Sequence, residues 1–308
     1  MQVGSQSISQ RATADAMLSS QRKDQSTRRS FGLDKIVLIL VLLYLLIPLG
    51  ATFVFSIHDG KNFSLGSFQR IMSDADFLTT FPFSIELAIA TTILMVILIT
   101  PTAYWIQLRL PQARPIMDFL TLVPFGVPAI VMAFGLIQVY SSPNTLVSVL
   151  SLGLVPFLSN QLNVVNTPPL MVCAYVIIAL PFTYRPIDNN LRAINTRVLT
   201  EASYSLGSGW WRTFLTVVIP NIWPGIISAA LLTFATVMGE FTIASLFSIY
   251  TFPIYLDVTG QNDPHKAAAL TILSFTITLI CVLGIILLVR LRPGGARKDS
   301  QIEIGAAR

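Results

Sequence analysis

The chain has 308 residues, of which 53% are hydrophobic and only 11% charged. Soluble domains carry roughly a quarter charged residues, so a soluble globular protein is excluded, and length does not count domains here. The formal net charge of +5 does not argue for a nucleic-acid partner, because in a membrane chain the placement of charge matters more than its sum.

Residues 1–35 are rich in Ser, Gln and Arg and read as a disordered tail. The apolar run Ile36 to Ile57 is long enough to cross a bilayer as a helix, which takes ~20 residues. It is too long for the ~7–15-residue core of a secretory signal, and its end makes a poor cleavage site, so it reads as an uncleaved first span. Residues 58–82, with Asp59, Asp74 and Asp76, read as a loop carrying a short surface helix. The second span is expected at Ile85 to Leu108. The third, Ile116 to Tyr140, contains Pro124 and Pro128 and is expected to bend. The linker Ser141 to Pro169 holds an apolar piece, Leu146 to Leu158, that is too short to span and reads as interfacial or re-entrant. A fourth span follows at Leu170 to Asn189, a fifth at Ile222 to Ile249 and a sixth at Ala267 to Leu291. Residues 293–308 read as a polar tail. The expectation is an all-α integral membrane protein with six transmembrane helices over residues 36–292.

Six spans put both termini on one side. All of the 20 lysines and arginines except Lys61, Arg70 and Lys266 then fall on that side. The positive-inside rule makes it the cytoplasmic side. A span at Leu146 to Leu158 would scramble this asymmetry, a second reason to reject it. The loop between spans four and five is therefore expected in the cytoplasm.

That loop, residues 195–220, is the most informative stretch. Asn195 or Thr196 is placed to cap a helix. Val198, Leu199, Ala202 and Leu206 share one face at helical spacing. Gly207 suits the left-handed residue that ends such a helix, and Ser208 and Gly209 permit a sharp turn. A second short amphipathic piece, Trp210 to Val218, leads to Pro220. The apolar face of this helix–turn–helix has little to bury against within the chain, so it is expected to meet a partner surface.

The segment resembles the Glu-Ala-Ala signature of permease subunits of binding-protein-dependent ABC importers. That pattern continues with three residues, Gly, nine residues and Ile-x-Leu-Pro. Here Glu201, Ala202 and Ser203 are followed in register by Gly207, Val217, Ile219 and Pro220. Ser203, Val217 and Ile219 are conservative departures. The resemblance implies the type I ABC importer permease fold and makes this loop a coupling helix that docks on an ATP-binding cassette subunit. Glu201 would make polar contacts at that interface, Ala202 and Ser203 would allow close approach, Leu206 would lie in the same docking helix, Gly207 would set the bend, and Pro220 would close the motif. The resemblance also implies a second permease subunit, more often different than identical, and an extracytoplasmic solute-binding protein. The chain has no G-x-x-x-x-G-K-[ST] phosphate loop, so ATP is expected to be bound by the partner subunit, with no cofactor or catalytic residue in this chain.

Carboxylates inside a membrane are costly and point to function. Glu86 and Asp257 lie near the outer ends of spans, and Asp188 sits beside Arg185 and Arg192. Glu240 is the deepest by sequence, and either lines the substrate path or pairs with a neighbouring polar group. A carboxylate in the path would favour a cation, so a polyamine such as spermidine or putrescine is the leading solute by resemblance. Aminoethylphosphonate, ferric iron, thiamine and sulfate-like oxyanions are alternatives. Cys173 and Cys281 read as inert packing residues, and His58 and His265 as interfacial. An ion-gradient-driven transporter would call for paired intramembrane carboxylates or an inverted repeat, and a membrane enzyme for clustered nucleophiles and bases; neither pattern is evident.

Overall fold

The computed structural model describes residues 35–59, 62–64, 66–141 and 167–291. The two tails and the Leu146 to Leu158 piece lie outside the described residues. The chain divides into two units, Met1–Ser64 and Leu65–Arg308. In the first, helix α1 (Lys35–Ile57) is long and apolar enough to span. An antiparallel pair of two-residue strands follows, β1 (His58–Asp59) and β2 (Asn62–Phe63), with His58 opposite Phe63.

The second unit is helical among its described residues. Its elements are α2 (Gly66–Met72), α3 (Ala75–Arg109), α4 (Arg114–Leu120), α5 (Val123–Gly126), α6 (Ala129–Ser141) and α7 (Pro168–Ala193). After these come α8 (Thr196–Ser205), α9 (Trp210–Thr213), α10 (Ile219–Asn221), α11 (Trp223–Met238), α12 (Thr242–Leu246), α13 (Phe252–Asn262) and α14 (Pro264–Leu291). Helix α2 is the short helix expected in the 58–82 loop. Asp74 starts α3 by accepting the Asp76 N–H at 2.9 Å, which satisfies one of the amides a helix start leaves open. Pro168 and Pro169 open α7, where a missing N–H costs nothing.

Helices α3, α7 and α11 pack on one another and form the frame. Two apolar cores lie along it. One gathers Phe77, Phe81, Leu87, Tyr175, Phe234, Ile243 and Phe252. The other gathers Met95, Tyr104, Ile187, Leu191, Phe214, Val218 and Ile222 around the start of the 195–220 segment. Hydroxyls on the long helices bond to the carbonyl one turn back, as Thr102 does to Leu98 and Thr236 to Leu232. This is how polar side chains are kept satisfied where water is absent.

Besides α1, helices α3 and α7 are long and apolar enough to span unbroken. Two further stretches qualify only as bent pairs. Pro111–Gly126 meets Ala129–Tyr140 at 101°, and Trp210–Asn221 meets Trp223–Met238 at 74°. The stretch expected as the third span is therefore two arms at nearly a right angle, broken where Pro128 follows Val127. The fifth span is not one helix to Ile249 either. Helix α11 stops at Met238, and a new helix, α12, begins at Thr242. The reason is local: Glu240 bonds the amides of the next turn instead of continuing the first helix.

Candidate functional site

The 195–220 segment begins where α7 ends. Asn195 takes a left-handed conformation, φ 49°, and its carbonyl receives the Val198 N–H at 2.9 Å. Neither residue expected to cap α8 does so through its side chain. Thr196 instead turns inward and its hydroxyl donates to the Leu191 carbonyl. Helix α8 ends as expected, at Gly207 with φ +82°. The Gly207 N–H reaches the Tyr204 carbonyl at 2.9 Å and the Ser208 N–H reaches the Ser203 carbonyl at 3.1 Å. These two bonds form a Schellman motif, which satisfies the carbonyls a helix end leaves open.

Burial across α8 is inverted. Its buried residues are the hydroxyl-bearing Thr196, Thr200 and Ser203. Tyr104 of α3 and Thr200 share a hydrogen bond at 3.1 Å, and Ser203 shares one with Thr213 of α9 at 2.9 Å. The outer face carries Val198, 64% exposed, and Leu206, 87% exposed. Ala202 is exposed beside them, and Arg197 donates to Glu201 at 2.9 Å across one turn of the same face. Such an exposed pair contributes only about 0.3–0.5 kcal/mol to the helix. Its effect is to hold the Glu201 carboxylate in place on the surface.

Five of the six residues expected in the docking segment are therefore exposed: Glu201, Ala202, Leu206, Gly207 and Pro220. Ser203 is the exception. It is 7% exposed and faces its own chain, so it joins the two helices of the segment and leaves close approach from outside to Ala202.

Behind α8 lies a rigid aromatic stack. Tyr104 is fully buried, with ring centroids 5.2 Å from Phe214 and 5.8 Å from Trp210, and Trp210 stacks on Phe214 at 5.3 Å. Each contact adds about 0.5–1.5 kcal/mol beyond the area it buries. Past it, Phe214–Val218 form a π turn, with the Ile219 N–H bonded to the Phe214 carbonyl. Pro220, which has no N–H to give, sits in the first turn of α10.

At the base of the segment Asp188 is 5% exposed. Arg192, one turn along α7, donates to it at 2.9 Å, and Arg114 of α4 reaches both carboxylate oxygens at 3.2 Å. Arg185, the other arginine expected there, is exposed. Arg114 and Tyr104 could not be found from local pattern, because they are 74 and 96 positions from their partners. Glu240 is part-buried between α11 and α12. It accepts the N–H groups of Thr242 at 3.0 Å and Ile243 at 3.0 and 3.1 Å. Ser84, Leu87 and Tyr175 surround it and leave no space for a water. Of the two readings open for Glu240, this geometry is that of a group paired with its neighbours. Cys173 is exposed and does not pack in the core, and Glu86 and Asp257 are exposed.

Residues 100–294 match the family described as "Binding-protein-dependent transport system inner membrane component". The chain belongs to that family, and it is a permease subunit of an ABC importer. The molybdenum transport system permease protein of Azotobacter vinelandii is 32% identical over 195 residues, 62% of this chain and 76% of that one. The spermidine/putrescine transport system permease protein of Escherichia coli is 29% identical over 235 residues, 74% and 81% of the two chains. The sulfate transport system permease protein of Synechocystis is 26% identical, over 76% and 82%. These relatives are transport permeases rather than enzymes. A chain from the crystal structure of a bacterial ABC transporter involved in alginate import superposes with a TM-score of 0.65 at 14% identity, covering 87% of this chain and 98% of that one. It supports the fold.

Proposed function

We propose that the exposed face of α8 is the surface on which a separate ATP-hydrolysing subunit docks to drive solute import. The observation that carries this is the inverted burial. A free helix in water hides its apolar side and shows its hydroxyls. Here Thr196, Thr200 and Ser203 are inside, while Val198, Ala202 and Leu206 face out. Apolar groups grouped on an outer face mark a contact surface, and Glu201, held by Arg197, adds a polar anchor. The placement of lysines and arginines supports a cytoplasmic location for this face and for both termini. A second permease subunit and an extracytoplasmic binding protein complete the assembly.

The test is Leu206→Asp. It alters a side chain that touches little of its own chain, so the melting temperature should hold within a degree or two while the ATPase subunit no longer co-purifies. An ATPase that still co-purifies and drives uptake would falsify the docking assignment.

For the solute, the polyamine reading stands on the polyamine relative, no longer on Glu240. A carboxylate bonded to the amides of α12 has little left to offer a cation. The molybdenum and sulfate relatives supply the second reading, an oxyanion. Uptake of labelled spermidine and of molybdate by proteoliposomes holding the whole complex decides between them.

A further inference from the structure

Asp188 lies beneath the docking face rather than on it. A carboxylate so enclosed has given up most of its hydration and persists only where partners replace it. Arg192 is such a partner on the same helix, one turn away, and its side chain is 46% exposed. Arg114 arrives from a different segment, at the first turn of α4, with a side chain 32% exposed. Among the described residues its side-chain hydrogen bonds go to Asp188, and its buried Nε has no partner. The Arg114–Asp188 contact is thus the charged tie between two parts of the chain that neighbour each other only through the fold.

One of those parts is the end of α7, which leads through Asn195 directly into α8. The other is the arm made of α4 and α5, which the 101° bend joins to α6. Helix α6 packs on α12, the helix that Glu240 caps. Asp118, one turn along α4 from Arg114, lies within electrostatic range of Asp188. Without the Arg114 charge, α4 would present only the Asp118 carboxylate to Asp188, and Arg192 on α7 would be left as the sole counter-charge.

We infer that the Arg114–Asp188 contact is a coupling pin, which makes the α4–α5 arm follow α8 when the docked ATPase displaces it. The inference rests on the docking role proposed for α8. Both residues are positioning residues: they hold the bent arm in register with the dock. Arg192 steadies Asp188 within α7 and transmits nothing.

The experiment uses the full complex in proteoliposomes, with spermidine or molybdate as the probe, whichever the wild type takes up. ATP hydrolysed and solute moved are measured together. Arg114→Met should leave ATP hydrolysis within about twofold of wild type and lower the solute moved per ATP by about tenfold, near the upper end of what single residues contribute to coupling. Arg192→Met should leave that ratio unchanged. Asp188→Glu should retain more of it than Asp188→Asn. Equal losses in Arg114→Met and Arg192→Met, or an unchanged ratio in Arg114→Met, overturn the pin. Should Arg114→Met fail to assemble, Arg114→Lys replaces it. A lysine keeps the charge without the two-pronged fork, so an intermediate ratio supports the pin and a wild-type ratio overturns it. A wild-type chain that recruits no ATPase fails at an earlier step, and that result overturns the docking role and the pin with it.

Discussion

At Gly207 the backbone passes through φ +82°, and a Cβ placed there would touch nothing within 4 Å. Space is therefore not what demands glycine; the torsion is. Gly207→Ala should cost about 1–2 kcal/mol, the penalty for an L-residue in the left-handed region. Gly207→Asn should cost less, because asparagine tolerates that region better. Melting temperatures of the purified complex check both, and a Gly207→Ala protein as stable as wild type would exclude this account. This glycine was legible in the sequence because its reason is local: it follows a helical face and precedes Ser208 and Gly209. Leu206 was placed on its face by the same local spacing, whereas Glu201 entered through the motif resemblance; both are exposed. The role expected of Ser203 came from the likeness to the Glu-Ala-Ala signature, which does not say which way a side chain turns. That depends on Thr213, and on Tyr104 meeting Thr200 from 96 positions away. The Arg114 partner of Asp188 was hidden by the same kind of distance.

Among elements, α7 and α11 approach closely where Gly225 faces Asn190. A Cβ on Gly225 would lie 2.6 Å from Asn190 Cγ and 2.7 Å from its Cβ. The Asn190 amide is already bonded to the Pro186 carbonyl at 3.0 Å, and a clash with Cβ cannot be relieved by rotating the side chain. Gly225→Ala should therefore push the two helices apart at a cost of about 1–3 kcal/mol, the usual range for overpacking. Asn190→Gly should recover most of that loss in the double variant, which a double-mutant cycle of melting temperatures measures. A full, unrescued loss would place the strain elsewhere. The unbroken spans at α1, α3 and α7 were legible because an apolar run of sufficient length has few other fates. The bend expected in the third span was legible in Pro124 and Pro128, and the structure makes it a 101° break; the stop at Met238 was not. The run 222–249 reads as apolar on both sides of Glu240, and what breaks it is that one carboxylate bonding the amides ahead of it.

Across the whole molecule, the end of α3 remote from α8 is held by a second set of charges. Asp74 receives hydrogen bonds from the Lys266 ammonium and, at 2.8 Å, from the Tyr255 hydroxyl. Lys266 lies 5.7 Å from the centre of the Tyr255 ring, and its N–H bonds Asp263 at 3.0 Å. Arg70 reaches the same Asp263 at 3.7 Å. The cluster joins α2, α3, α13 and α14. Burial works against the charged form of Asp74, but the bonds from Lys266, Tyr255 and the Asp76 amide outweigh it and lower its pKa below 3.8. Burial likewise opposes the Lys266 charge, and the bonds to Asp74 and Tyr255 outweigh it and raise its pKa above 10.5. The stabilisation from Asp74 is present above pH 3.8 and is lost as pH falls through its lowered folded value. The stabilisation from Lys266 is present below pH 10.5 and is lost as pH rises through its raised folded value. Asp74→Asn should therefore melt below wild type at neutral pH, and the gap should close only below pH 3.8. A gap that closed near neutrality would contradict the sign of the shift.

Helix α3 carries that cluster at its start and Tyr104, which meets Thr200 of α8, near its finish. Its 35 residues make a rod of about 52 Å at 1.5 Å per residue, while the hydrocarbon layer is about 30 Å thick. The helix is longer than that layer is thick, and Pro82 and Pro101 lie within its length, each removing a rung of the backbone hydrogen-bond ladder. A tilt at one end therefore reaches the other through two points where the helix can flex. The clamp around Asp74 and the hydroxyl contact at Tyr104 fix the two ends separately, and loosening either one should leave that end free to move without the other.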